Sequence, residues 1–207
     1  MRLTDEISLR SRRRKFALFM ESMAPTAATT VLDVGVDDFA FGDVSANEGT
    51  CRTLNFFEDM YPWPDRITAL GLHEGVRFRQ SYPQVTYVRG DALELPFGDA
   101  SFDVVFSNAV IEHVGGEEEQ RRFVAEALRV APRVFVTTPN RWFPIEVHSR
   151  LPLVHWLPDA VSHRAYDLVR KPWAKQNRLL GPGALRGLFP GEARIVNLGL
   201  TLVAVVD

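Results

Sequence analysis

A doubly wound α/β sheet of seven strands is the fold class this sequence predicts, mostly parallel and closed by an antiparallel last strand. Three observations predict it. Short apolar runs recur between Val31 and Thr138, separated by stretches with helical patterning. The first run, Val31-Leu32-Asp33-Val34, is apolar on both faces except at Asp33, as a strand covered by helices on both sides must be. The last two runs, Arg194 to Asn197 and Leu200 to Val206, are joined across Gly199 by a link too short for anything but an antiparallel pair.

In chain order, residues 4–23 read as a helix, with Ile7, Phe16, Phe19, Met20 and Met23 forming an apolar stripe. Arg12-Arg13-Arg14-Lys15 within it reads as a solvated face, with contact to an anionic substrate or membrane surface as the lesser reading. Pro25 ends that helix. After the first strand, Gly35 allows a tight turn and a close ligand approach. A polar loop runs to Gly49, and residues 50–60 can be helical before Pro62 and Pro64 stop them. Strands follow at 66–72, 85–88 and 102–106, with a short helix at 76–82 between the first two. Gly115-Gly116 and three glutamates open a helix over 117–130, with Phe123, Val124, Ala127 and Leu128 on its buried face. A fifth strand spans 133–138, stopped by Pro139.

Residues 140–190 break the alternation. They hold Trp142, Phe143, Trp156, Tyr166 and Trp173 and three of the five histidines, and their prolines forbid a long helix. Placed after the fifth strand, the segment is expected to cover the carboxyl edge of the sheet, where ligands bind in open α/β folds. Its apolar stretch Leu151 to Pro158 is expected to line or roof that site.

Composition narrows the partners. The chain has 207 residues, enough for one domain with a substantial core, and is 46% apolar with a net charge of -2, so no basic field advertises nucleic acid. A single cysteine, Cys51, excludes an intrachain disulfide and fits a reducing compartment. No apolar run reaches the roughly 20 residues of a membrane span. With no signal core at the N-terminus, a cytoplasmic location is expected.

Three stretches carry the chemistry. They are Val31-Leu32-Asp33-Val34-Gly35, then Gly90-Asp91-Ala92 with Leu95-Pro96-Phe97, then Ser101 to Ser107 followed by Val110-Ile111-Glu112-His113-Val114. In this order and spacing, over residues 30–140, they resemble the class I S-adenosylmethionine-dependent methyltransferases, specifically the type-11 small-molecule group, whose fold is Rossmann-like. Length and the order of elements give a single domain over 1–207: an N-terminal helix (1–29), a core (30–139) that the resemblance makes cofactor-binding, a cover insertion (140–190) and a terminal strand pair (191–207). The resemblance implies S-adenosylmethionine as cofactor and methyl transfer to a small molecule. The apolar stretch Leu151 to Pro158 hints at a hydrophobic one, though a cover packed on its own core would look the same. Asp33, Gly35 and Val36 would sit beside the amino acid end of the cofactor, Asp91 and Ala92 beside adenine, and Asn108 and Ala109 under the methionine part. His113 matches the family's histidine after the fourth strand, with a packing or capping role as its alternative.

Two departures stand out. Only Gly35 remains of the family's glycine-rich first loop, and the acidic residue that should bind the ribose hydroxyls is replaced by His73, with Glu74 one place later. These leave a second reading open, a non-catalytic relative that binds a ligand or partner. A nicotinamide dehydrogenase is disfavoured, because Asp37, Asp38 and Asp43 in this loop would repel a pyrophosphate.

In Asn140-Arg141-Trp142-Phe143-Pro144-Ile145-Glu146-Val147-His148, which also resembles a segment seen in part of the family, Glu146 and His148 alternate and so share a face in an extended backbone. The pair could deprotonate a hydroxyl or amine acceptor. Equally, Asn140 and Arg141 could pin the loop while Glu146 and His148 pair with each other or with Arg150. A metal held by Glu146, His148, His155 and His163 suits the ligand types but not the spacing, and none is expected.

Overall fold

The structure, a computed structural model, describes residues 3–38 and 55–207. Cys51, Asp43, Phe39 and the first part, residues 50–54, of the helix expected over 50–60 lie outside the described residues. Seven strands form one sheet: β1 (Val31–Val34), β2 (Ile67–Gly71), β3 (Thr86–Arg89), β4 (Val104–Asn108), β5 (Arg133–Pro139), β6 (Arg194–Asn197) and β7 (Thr201–Val206). Their order is β3-β2-β1-β4-β5-β7-β6. β1 to β5 pair in parallel, while β7 runs antiparallel to both β5 and β6. Strand order therefore reverses between β1 and β4, and the crevice outside their carboxyl ends is the expected ligand position.

Two cores, one on each face, follow from the period-2 alternation of the strands. Leu32, Val34, Val105, Val134 and Leu202 face helix α4 (Glu117–Val130) and helix α6 (Pro182–Gly187). Val31, Val104, Phe106, Phe135 and Val203 face helix α1 (Leu3–Met23), helix α2 (Phe56–Met60) and helix α3 (Val76–Ser81). On that second face Phe57 stacks on Phe106 at 4.1 Å, and Phe19 meets Phe57 edge-on at 5.0 Å. Asp33 shares the parity of Val31, so its side chain lies on the α1 and α2 side.

Strand β4 begins two residues later than its apolar run suggests. Asp103 is used as a clamp instead, its Oδ2 accepting from the backbone N–H and the hydroxyl of Thr30 at 2.8 and 2.9 Å. Phe102 packs edge-on against Phe97 at 5.0 Å. The solvated reading of Arg12 to Lys15 holds for Arg13 and Arg14, which are exposed, and fails for Lys15, which is buried. Four consecutive residues spread their side chains over about 300° of the helix, so one of them must face inward.

Within 140–190 lie two 3₁₀ turns (Val154–Trp156 and Pro172–Gln176), helix α5 (Asp159–Leu168) and α6. Asn140 anchors the start of this segment, donating from Nδ2 to the Gly199 carbonyl at 2.9 Å and accepting from the Trp142 N–H at 3.0 Å.

Candidate active site

At the end of β1 the chain turns at Gly35, whose φ of +95° favours glycine and whose N–H donates to the Leu70 carbonyl at 2.8 Å. A side chain there would meet Val110 Cγ2 at 2.2 Å. Below the turn is a hollow of about 20 Å³ lined by Asp33, Gly35, Val36, Asn55, Phe56, Phe57, Phe106 and Asn108. That is room for an ammonium or carboxylate group, not for a nucleoside. The remainder of such a ligand would lie along the exposed edge, where Leu72, His73, Glu74 and Asp91 sit.

The electrostatics of the hollow favour a cation. Burial pushes the Asp33 carboxyl up to about 7. Burial also raises Glu58 on α2, and the neighbouring Asp33 charge raises it further. Both Glu58 oxygens are buried without a hydrogen-bond partner. Two buried acids side by side keep protons in the free protein, and a positively charged ligand group would let them ionise. Sequence reading missed Glu58, since nothing in Phe56-Phe57-Glu58-Asp59-Met60 separates it from an ordinary solvated glutamate.

The other expected cofactor residues fall around this edge. His73 is exposed and its carbonyl accepts from the Tyr87 hydroxyl at 2.8 Å, while Glu74 pairs with Arg89. Asp91 is exposed and its Oδ1 accepts from the Leu93 N–H at 2.9 Å, an Asx turn that orders the loop carrying Ala92. Asp38 serves the fold, because its two oxygens accept from the N–H groups of Val76 and Phe78 at 3.2 and 2.9 Å and so satisfy the first turn of α3. Those backbone hydrogen bonds hold its carboxyl below the usual range.

Asn108 and Ala109 end β4. Ala109 takes a left-handed φ of 58°, sparsely populated for alanine, and its N–H donates to the Thr137 carbonyl at 2.9 Å. Asn108 Oδ1 accepts from the Thr137 hydroxyl at 2.9 Å and from Lys15 Nζ. Burial, reinforced by Arg12, lowers the Lys15 ammonium to about 8. Asn108 also lines a second space, a largely apolar cavity of about 510 Å³ over the ends of β4 and β5. Its walls include Ser8, Ser11, Arg12 and Lys15 of α1, with Pro139, Phe143, Ile145, Val147 and Leu200. The expectation that Leu151 to Pro158 lines this space is corrected. The alternating residues 143, 145 and 147 do so, while the next stretch turns away and buries Val154 against Tyr166 and Ala174.

Beyond the cavity wall the structure gathers the residues expected to be catalytic. Glu146 Oε1 accepts from His148 Nδ1 at 2.7 Å, and its carboxylate also accepts from the N–H groups of His148 and Ser149. Burial pushes the Glu146 carboxyl up, but these hydrogen bonds outweigh it and bring it to about 2. An ionised carboxylate only accepts, so His148 donates to it from Nδ1, and in the neutral ring the free lone pair is on Nε2. His148 lies edge-on to His113, with ring centroids 5.2 Å apart. Burial and His148 both hold the His113 imidazole below its usual range.

Glu112 is fully buried beneath them. Its Oε2 accepts from the Thr138 hydroxyl at 3.0 Å, and its Oε1 has no hydrogen-bond partner and lies 3.8 Å from His113 Nε2. Burial raises this carboxyl to about 7. Among the described residues, Glu112, His113 and His148 form a group able to hold a metal, with ligand atoms within 4.8 Å of one another. Of the four residues weighed as metal ligands, His155 donates from Nε2 to the Arg141 carbonyl at 2.8 Å and lines a separate polar cavity with Glu146 and His163, while His148 is not part of that lining.

Comparison with known proteins agrees with this architecture. A family model described as a methyltransferase domain matches residues 48–133. A probable S-adenosylmethionine-dependent methyltransferase of Mycobacterium tuberculosis is 44% identical over 66 residues, 30% of this chain and 23% of that protein. The phthiotriol/phenolphthiotriol dimycocerosates methyltransferase of the same species is 38% identical over 85 residues, 39% of this chain and 28% of that protein. The matches thus span about a quarter of the length of these relatives. Among solved structures, the N-methyltransferase NodS from Bradyrhizobium japonicum, in complex with S-adenosyl-L-homocysteine, superposes with a TM-score of 0.56 at 15% identity. It covers 94% of this chain and 85% of that one. A sheet of this order is that of a Rossmann-like methyltransferase fold. Over residues 48–133 the chain is similar to the methyltransferase domain family, and over a shorter stretch to S-adenosylmethionine-dependent methyltransferases.

Proposed function

We propose that the protein transfers a methyl group from S-adenosylmethionine to a hydroxyl or amine on a small, partly hydrophobic acceptor. One observation carries this reading. The charged hollow and the apolar cavity meet at a single residue, Asn108, which lines both. A cationic donor held on one side therefore abuts an apolar acceptor on the other.

The residues present fit the donor. Asp33, with Glu58 behind it, would hold the ammonium group, Gly35 and Val36 would lie along the amino acid part, and the edge formed by His73, Glu74, Asp91 and Ala92 would receive the nucleoside. Bound there, S-adenosylmethionine supplies a methyl group already activated by positive sulfur. The chain's own residues then align the reactants, exclude water and accept a proton. Asn108, held by Lys15 and Thr137, aligns the two partners for in-line displacement. The walls around Phe143, Ile145 and Val147 exclude water. We place the proton acceptor at His148 Nε2, oriented by Glu146 and flanked by His113. Because residues 143, 145 and 147 line the cavity and 146 and 148 alternate with them, the methyl acceptor's reactive end must reach past that wall to meet it. The relatives named above support a small-molecule acceptor, and the net charge of -2 argues against nucleic acid.

His148→Ala tests the assignment of the base. Transfer of labelled methyl groups into a lipid and metabolite extract should fall by about 10²–10⁴-fold, with cofactor affinity unchanged. Equal turnover in the variant would remove His148 from the chemistry. The second reading, a non-catalytic relative, rests on the altered first loop, and absence of cofactor binding at millimolar concentration would favour it.

A further inference from the structure

We propose that the 140–178 segment is a docking face for an anionic membrane surface. Among the described residues, nine of the eleven large apolar side chains left exposed fall between Trp142 and Trp173. The exposed set includes three of the protein's four tryptophans. Tryptophan favours the boundary between headgroups and acyl chains, where its ring is apolar and its N–H stays wet. The same stretch, 141–178, carries seven Lys and Arg against three Asp and Glu, in a chain whose net charge is -2. Of the three acids, Glu146 is buried and committed to His148, and Asp167 pairs with Lys175. A face that is both greasy and cationic matches an anionic bilayer better than it matches water or a neutral surface.

The backbone arranges these residues as a surface. Helix α5 packs on the two 3₁₀ turns of its own segment. Ser162 and Tyr166 face that packing and are buried, whereas Val161, Arg164 and Leu168 recur at helical spacing on the opposite side and are exposed. An ordinary surface helix would carry polar residues there. Leu153, Trp156 and Leu157 extend the apolar area, and Trp142 lies 6.4 Å from Trp156, ring to ring. Ile145 and Arg150 belong to both the exposed face and the lining of the 510 Å³ cavity. A docked bilayer would thus border the mouth of the acceptor site. That use of the face rests on the function proposed above; the docking itself does not, and it is measured without cofactor or acceptor.

The experiment is co-sedimentation of the full chain with vesicles of phosphatidylglycerol and phosphatidylcholine, against phosphatidylcholine alone, with tryptophan emission as a second readout. Wild type should bind the anionic vesicles with a blue-shifted emission. Binding should fall about tenfold or more without the anionic lipid, and likewise at about 0.5 M salt. The triple variant Leu157→Glu, Val161→Glu, Leu168→Glu should lose binding by about tenfold or more. All three side chains are exposed, so the thermal midpoint should hold, and Val76→Glu, an exposed apolar site elsewhere, should bind as wild type does. Equal binding to both vesicle types would overturn the proposal. So would a triple variant that still binds, or a wild-type dimer that the triple variant breaks apart.

Discussion

Asp33 occupies a position where burial alone would select valine, and the consequence can be measured. Its folded carboxyl titrates near 7 instead of 3.8. The folded state therefore keeps a proton that the unfolded chain has already released. Stability of the free protein should decline as pH rises from about 4 through 7, because the folded state must then carry the buried charge. Asp33→Asn removes that cost. At pH 8, chemical denaturation should show the variant more stable than wild type by about 1–3 kcal/mol, while its cofactor affinity falls. A variant less stable at pH 8 would mean that Asp33 already has a charged partner. At this scale legibility was uneven. Asp33, His113, Glu146 and His148 could be singled out as candidates because each stands in a patterned stretch whose residue types suit a definite chemistry. Lys15 could not, because its neighbours made the run look uniformly solvated. Glu58 and Glu112 acquire their character only from what packs over them, and a one-dimensional pattern does not record that.

Among the elements, the turn after β1 is the most constrained. Gly35 combines a positive φ with contact against Val110, so Gly35→Ala imposes backbone strain and a clash together. It should cost about 1–3 kcal/mol in thermal or chemical unfolding. A neutral substitution would show that the turn relaxes freely. Helix α4 was legible to the residue over 117–130, because its glycine and glutamate start signals and its periodic apolar face agree. Strand β4 was not, because Phe102 and Asp103 look like strand while serving as a packing ring and a clamp on Thr30. The stretch Leu151 to Pro158 was misread for a related reason. Apolar residues near a ligand site look the same whether they face the ligand or face away. The 3₁₀ turn at Val154 decides which, and local pattern does not reveal it.

The whole molecule follows from the reversal of strand order between β1 and β4. The alternation of apolar runs and the short link at Gly199 were enough to predict this sheet, because parallel crossovers and tight antiparallel pairs have few alternatives. What lies at the reversal depends on long-range packing: two buried acids on one side of Asn108 and an apolar cavity on the other. The proposed chemistry therefore stands or falls on whether a sulfonium nucleoside binds there. Titration calorimetry of the full chain with S-adenosylmethionine, beside the Asp91→Ala variant, measures this directly. One site per chain is predicted in wild type, with binding weaker by about 1–3 kcal/mol in the variant. No heat of binding at millimolar cofactor, or equal affinity in both proteins, would contradict it.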